Sequence, residues 1–304
     1  MMYDLSKRGL GAFDPAQYLL ENCSTLYLDQ NHLAELSLIP QLGKLKKLSC
    51  YHNKFAQLPE TLRSLHNISA INFSKNQLKA LPEWLGDLVN LHTLDVQHNK
   101  FSGLPESIGQ LSQLNFLYLA GNQLTELPKT IVNCRQIVYI NLSSNHFDHI
   151  PDALIQLKQL VELRAYHNQI QSLPNNVGQL KHLKELHLMH NQITALPNTI
   201  GELTALRKLI LEDNNIKVLP QEISNLTQLT DLDLRENALV ELPESMGNLR
   251  NLRFLDLRDN QLEHLPDSLS QIISLERLDL RLNKKLVIPD WLKQLEHRGC
   301  TVYV

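Results

Sequence analysis

The stretch LTALRKLILEDNNIKVLPQEISNL, residues 203–226, decides the fold because close copies of it recur along the chain. Its Asn214 belongs to a column of asparagines that are 23 residues apart, after a first step of 22. The column comprises Asn31, Asn53, Asn76, Asn99, Asn122, Asn145, Asn168, Asn191, Asn214, Asn237, Asn260 and Asn283. A proline follows six residues after each of these from Asn53 onward, and this position takes eleven of the 13 prolines. A fixed period of this length indicates a repeat architecture.

Each repeat places aliphatic residues at fixed distances from its asparagine. The repeat around Asn191 has them at Leu183, Leu186, Leu188, Ile193 and Leu196. The alternation about Leu186 and Leu188 predicts a strand with one buried face. We expect the asparagine side chain to satisfy backbone groups that the turn removes from regular pairing. The Leu-Pro step that follows predicts an extended or single-turn return segment, because proline restricts itself and its neighbour.

One repeat buries too little apolar surface to fold alone, so neighbouring repeats must stack and share a core. The sequence therefore predicts a curved α/β solenoid with a parallel sheet on its concave side and short helical or extended segments on its convex side. We expect a single domain over 1–304. Residues 1–22 form a degenerate capping repeat, residues 23–297 form twelve repeats, and residues 298–304 form an edge strand at the carboxyl end.

The composition sets further expectations. The chain has 304 residues and a net charge of -3, which does not call for nucleic acid or an anionic membrane as partner. No apolar run reaches the 18 residues of a membrane span, and the first residues do not look like a secretory signal. Cys23, Cys50, Cys134 and Cys300 are scattered, which favours core thiols in a reducing compartment. We therefore expect a cytoplasmic protein.

Units of the form LxxLxLxxNxLxxLPxxIGxL, as in residues 203–226, resemble leucine-rich repeat proteins over essentially the whole chain. The 23-residue unit with its Leu-Pro step is similar to the subtype of intracellular Ras-pathway and polarity scaffolds, plant Ras-group proteins and many bacterial proteins. The resemblance implies a horseshoe that binds a protein or peptide on its concave face. It carries over no functional residue, because the shared motif is entirely scaffold.

The residues between the repeated positions are the outward-facing ones, and they differ from repeat to repeat. In the middle of the chain they are rich in aromatic rings, histidine, arginine and methionine, which are types enriched at or tolerated in interfaces. The predicted partner-binding residues are Phe116, Tyr118, Tyr139, Arg164, Tyr166, His167, His187, Met189, His190 and Ile210. The alternative is that these rings only stack on one another and stabilise the sheet.

From residue 231 onward the outward positions carry a column of acids beside a column of arginines. Asp233, Asp256 and Asp279 form the acid column, and Arg235, Arg258 and Arg281 form the other. Such a surface can select a charged partner. The interpretation that we favour is a lattice of charges that pair with one another and add modestly to stability.

Catalytic and metal sites are disfavoured, and we expect no enzyme activity and no cofactor. His167, His187 and His190 could collect a transition metal with Glu162 or Glu185, but their spacing is not diagnostic. The sequence predicts a non-catalytic scaffold for protein–protein interaction, with a small GTPase or its regulator as the partner class that the resemblance suggests. The alternatives are the recognition part of a kinase or ubiquitin-ligase system, or an exported effector. The oligomeric state is left open.

Overall fold

Each repeat folds as a three-residue strand, a turn and a return segment. The computed structural model describes residues 1–18, 20–37 and 40–304, and divides them into two units, Met1–His146 and Phe147–Val304. Within each unit the strands pair in parallel and in sequence order. The predicted solenoid with one parallel strand per repeat is therefore confirmed in each unit. The single domain over 1–304 and its internal boundaries stay a prediction.

The first unit has seven strands among its described residues. They are β1 (Met2–Asp4), β2 (Thr25–Tyr27), β3 (Lys47–Ser49), β4 (Ala70–Asn72), β5 (Thr93–Asp95), β6 (Phe116–Tyr118) and β7 (Tyr139–Asn141). The return segments are 3-10 helices at Pro15–Gln17, Pro40–Lys44, Glu60–Ser64, Glu83–Asp87, Glu106–Gln110 and Lys129–Asn133.

The second unit also has seven strands. They are β8 (Glu162–Arg164), β9 (Glu185–His187), β10 (Lys208–Ile210), β11 (Asp231–Asp233), β12 (Phe254–Asp256), β13 (Arg277–Asp279) and β14 (Thr301–Tyr303). Its 3-10 helices are Asp152–Gln156, Val177–Gln179, Asn198–Glu202, Gln221–Asn225, Glu244–Asn248 and Asp267–Gln271, and one α-helix, α1, spans Leu292–His297. None of the helices in the described part of the chain could cross a membrane.

The core is built from the repeated aliphatic positions. All five of those predicted for the repeat of Asn191 are buried, with Leu183, Leu188 and Ile193 at 0% exposure. The middle residue of each interior strand points into this core, whereas the first and third face outward. The four cysteines are free and buried, as expected of core thiols, and burial raises the pKa of Cys134 to about 12.

The asparagine column holds the turns as predicted. Asn145 Nδ2 donates to the carbonyl oxygens of Leu142 (3.0 Å) and Ser143 (3.2 Å) in its own repeat, and to that of Leu119 (3.1 Å) in the preceding one. Its Oδ1 accepts from the backbone N–H of Leu124 at 3.0 Å. One buried side chain thus satisfies four backbone groups in two successive repeats.

The residue before each column asparagine adopts the left-handed conformation, with φ between +50° (Asp213) and +68° (Gly121). Only one of the twelve is glycine, although this conformation disfavours other residues by about 1 to 2 kcal/mol. The hydrogen bonds of the neighbouring asparagine offset that strain. Close packing also favours glycine at position 121, because an added Cβ would lie 2.4 Å from His98 Nδ1.

Glycines in the return segments permit close packing between repeats. A Cβ added to Gly201 would lie 2.3 Å from the carbonyl oxygen of Glu222 in the next segment. Clashes below 3.0 Å with the following repeat recur at Gly86, Gly109, Gly178 and Gly247. Ile155 occupies the equivalent position of its own repeat. The close approach between return segments is therefore a property of the repeats with glycine and not of every repeat.

The terminal repeats differ from the interior ones in their details. At the amino end Tyr3 pairs with Leu26, and Asn31 Oδ1 accepts from the N–H groups of Arg8 and Leu10, both at 3.0 Å. The 3-10 helix Pro15–Gln17 follows the first strand and is capped by the Asp14 side chain. At the carboxyl end Leu278 pairs with Val302, which is a step of 24 residues instead of 23.

We predict that Asn145→Ala lowers the free energy of unfolding by about 1 to 3 kcal/mol, because it leaves buried backbone groups unpaired. Chemical denaturation measures this change. Asn175→Ala is the matched control, since Asn175 is exposed and lies outside the column. Equal stability of the two variants would contradict the role assigned to the column.

We predict that Gly201→Ala destabilises the fold by about 1 to 3 kcal/mol, because the new methyl group has no room beside the carbonyl oxygen of Glu222. The control is Gly103→Ala, where an added Cβ meets no described atom within 4 Å and φ is not positive. Thermal melting gives the midpoint of each variant. A Gly201→Ala protein with the same melting midpoint as the control would refute the packing argument.

Candidate functional site

The outward side of the strands, here called the strand face, presents the variable residues. The first and third residues of each strand lie on it, and the same position in the next repeat follows about 5 Å away. Side chains in a column can therefore touch across repeats. The predicted binding residues occupy this face and the turns beside it, three of them in the first unit and seven in the second.

The three predicted residues of the first unit lie on adjacent strands. Phe116 is opposite Tyr139 in the register of β6 and β7, and its side chain is exposed. The rings of Tyr118 and Tyr139 are 4.8 Å apart with an angle of 40° between their planes. This distance falls within the range of favourable aromatic pairs. The structure thus brings all three residues into one aromatic patch on that unit.

In the second unit the two histidines that precede column asparagines, His167 and His190, stack on each other. The His167 and His190 rings are 4.2 Å apart and 1° from parallel, and the Tyr166 ring meets His167 edge-on at 5.5 Å. His190 Nδ1 lies 2.8 Å from a carboxylate oxygen of Asp213, which fixes one end of the row. His167 is exposed, and Tyr166 and His190 are half-buried. Tyr166, His167 and His190 form an ordered and partly exposed surface, which we call the Tyr–His cluster.

Arg164 and His187 lie beside the cluster and pair with acids. Arg164 Nε donates to Glu162 Oε1 at 2.5 Å, and His187 Nε2 is 3.1 Å from Glu185 Oε2. Lys208 Nζ lies 3.2 Å from the other oxygen of Glu185. Burial opposes ionisation of Glu185, but these two partners outweigh it, so its pKa falls below the usual range.

The metal-ligand set considered from the sequence is only partly assembled. Ligand atoms of Glu162, Glu185 and His187 lie within 4.8 Å of one another, whereas His167 and His190 belong to the stack. Arg164 and Lys208 already supply positive charge to the two carboxylates. The arrangement therefore acts as an ion-pair network. Met189 and Ile210, the remaining predicted residues, are half-buried on the same face.

The acids and arginines from residue 231 onward pair largely with one another, as favoured from the sequence. Arg258 makes a bidentate contact with Asp256, in which Nε donates to Oδ1 at 2.9 Å and Nη2 donates to Oδ2 at 2.7 Å. Asp279 accepts from Arg281 at 2.7 Å and from Arg277 at 3.2 Å, and its side chain is 1% exposed. Burial opposes its ionisation, yet the arginines outweigh burial and lower its pKa.

Asp233 is the exception in this lattice. Arg235 makes its closest ion pair with Glu212 and stays 3.5 Å from Asp233. The pKa of Asp233 is raised to about 6, chiefly by burial and also by the nearby carboxylates of Asp256 and Glu212, against the opposing effect of Arg235. The sequence predicted that the two columns pair with one another, but Glu212 lies in the preceding repeat and outside the acid column. This acid was the signal that the sequence analysis missed.

Comparison with known proteins was made on sequence and on structure. Models described as a leucine-rich repeat region and as leucine rich repeats match residues 84–175, and residues 166–216 and 204–262. A search of curated protein sequences returned no significant match. Among solved structures, an internalin of Listeria monocytogenes is similar in fold, with a TM-score of 0.83 at 21% identity over 99% of this chain and 86% of that one.

Two further structures are more similar in sequence. The plant peptide hormone receptor RGFR1 in complex with RGF2 is 29% identical over 93% of this chain, with a TM-score of 0.78, and the match spans 47% of the receptor chain. A leucine-rich repeat protein of Leptospira interrogans is 32% identical over 99% of this chain and 95% of its own, with a TM-score of 0.68. The chain therefore belongs to the leucine-rich repeat family, whose fold indicates a role in protein–protein interaction.

Proposed function

We propose that the chain is a non-catalytic interaction module that binds a protein or peptide on the strand face of its second unit, at the Tyr–His cluster. The observation that carries the proposal is the row of Tyr166, His167 and His190, ordered by ring contacts and still partly exposed. Rings in this state can bury additional apolar surface against a partner, and tyrosine is enriched among residues that dominate binding energy.

Order in the free protein favours this role. His190 is held by Asp213, and the stack then restrains His167 and Tyr166. Side chains that are fixed before binding lose less conformational entropy when a partner arrives, which leaves more of the contact energy for affinity. Arg164, His187, Met189 and Ile210 surround the cluster and supply the polar and apolar margin of the proposed interface. Phe116, Tyr118 and Tyr139 offer a separate aromatic patch on the first unit.

The proposal extends to the kind of partner. A related receptor in plants holds the peptide hormone RGF2, which supports a peptide or an extended protein segment as one class of ligand. The 23-residue Leu-Pro repeat is similar to that of Ras-pathway scaffolds, which supports a small GTPase or its regulator as another. We place the protein in the cytoplasm, where thiols such as the four free cysteines stay reduced.

We predict that Tyr166→Ala weakens partner binding by about 10- to 100-fold, as expected for a central aromatic contact, and leaves the fold intact. Partners are captured from a lysate on the immobilised protein, identified by mass spectrometry, purified, and titrated against each variant. The melting midpoint of every variant is measured in parallel.

Tyr51→Ala is a closely matched control. Tyr51 occupies the same column in the first unit, is half-buried like Tyr166, and meets His52 edge-on at 5.9 Å. Loss of binding in Tyr166→Ala alone would support the proposed site. Equal binding by the two variants would refute it, and unfolding of Tyr166→Ala would show that the cluster is scaffold.

A further inference from the structure

A cavity of about 180 Å³ opens on the strand face of the second unit, over strands β11 and β12. Ile210 and Phe254 form apolar sides, and Phe254 remains 37% exposed. Three carboxylates, those of Asp231, Asp233 and Asp256, also line the cavity. An apolar hollow edged by several acids is suited to a ligand that is itself part apolar and part cationic.

Two of the charged groups that line the cavity, Asp256 and Arg277, are paired with residues outside it. Asp256 accepts hydrogen bonds from two guanidinium nitrogens of Arg258. The one arginine of the lining, Arg277, donates to Asp279 at 3.2 Å and so directs its charge to a buried acid. Among the described residues, Arg277 forms no ion pair with the other two carboxylates of the cavity.

Asp231 and Asp233 are those remaining carboxylates. They are the first and third residues of β11, so both lie on the strand face, and both are half-buried. Asp231 accepts a hydrogen bond from Thr230 Oγ1, and Asp233 accepts one from the backbone N–H of Arg235 at 3.2 Å. Arg235 itself is drawn toward Glu212. Half-buried carboxylates with weak compensation are electrostatic sites for an added cation.

We propose that this cavity receives an arginine or lysine side chain from a peptide or protein partner. The charged group would lie against Asp231 and Asp233, and the aliphatic stem would pack on Ile210 and Phe254. Arginine suits the site best because its planar group can contact two carboxylate oxygens at once. Its stem can also cover apolar surface while its charge is satisfied.

The arrangement also sets a pH dependence. Asp233 faces Asp231 and Arg235 of its own repeat, Glu212 of the preceding repeat, and Asp256 and Arg258 of the following one. Because its pKa is about 6, Asp233 is protonated in the free protein at pH 5 and ionised at pH 7.5. A bound cation favours the ionised form. The affinity for a cationic ligand therefore rises as the pH rises through 6.

The test uses fluorescein-labelled heptapeptides of sequence Gly-Ser-X-Arg-X-Ser-Gly, with X as Ala, Leu or Phe, and matched peptides that carry citrulline in place of arginine. Citrulline keeps the shape of the side chain and removes its charge. Binding to the full chain is followed by fluorescence anisotropy. We expect at least one arginine peptide to bind about 10-fold or more tightly than its citrulline partner at pH 7.5. The same arginine peptide should bind roughly 3- to 10-fold more weakly at pH 5 than at pH 7.5.

Variants assign the binding to the cavity. The double variant Asp231→Asn, Asp233→Asn should lower the affinity for the arginine peptide by about 10-fold or more. Glu244→Gln is the control, because it removes one exposed carboxylate from the 3-10 helix Glu244–Asn248 and leaves the strand face unchanged. The melting midpoint of each variant confirms that it is folded.

Three outcomes would overturn the inference. They are equal binding of arginine and citrulline peptides, an Asp231→Asn, Asp233→Asn protein that binds as tightly as the control, and no saturable binding of any arginine peptide up to about 1 mM. Because Tyr166 takes no part in this cavity, the Tyr166→Ala experiment can fail while this one succeeds, and the reverse.

Discussion

The amide side chain of the column asparagine is the interaction on which the fold depends. At Asn214 it donates to the carbonyl oxygens of Leu188, Leu211 and Glu212, and it accepts from the N–H of Ile193. These groups belong to two successive repeats, so each asparagine both closes a turn and ties that turn to its neighbour. The left-handed residue before it is held in place by the same bonds. Outward residues are then free to vary, because none of them is needed to close the turn.

Much of the fold could be predicted from the sequence because the repeat is encoded by local pattern. The burial of Leu186 and Leu188 and the bonds of Asn145 follow from spacing and from the chemistry of an amide. The helix Leu292–His297 lies in the return segment after Pro289, where the sequence predicted a short helical or extended segment but not that it would be an α-helix and not a 3-10 helix. The left-handed turn residues were also missed. They include glutamine, lysine, glutamate and leucine, whose residue types give no sign of that conformation.

The placement of the candidate residues on one face could be predicted, but their contacts could not. Sequence alone placed Tyr166, His167 and His190 on one face, but the parallel stack of the histidines depends on side-chain torsions that no pattern encodes. The same limit applies to the ion pairs. Arg235 could reach either Asp233 or Glu212, and its choice of Glu212 reflects the local balance of burial and charge. Burial is the main cause of the raised pKa of Asp233, and the preference of Arg235 for Glu212 leaves that carboxylate weakly compensated in the cavity on β11 and β12.

We infer that the asparagine column, and not the strand face, determines the stability of the repeats. Hydrogen–deuterium exchange tests it directly at the backbone N–H groups of Leu124, Ile193 and Leu239, each bonded to a column asparagine. We expect these amides to exchange only through global unfolding, as slowly as the amides of the buried strand residues. Exchange at the rate of exposed turns, while the strands stay protected, would contradict it.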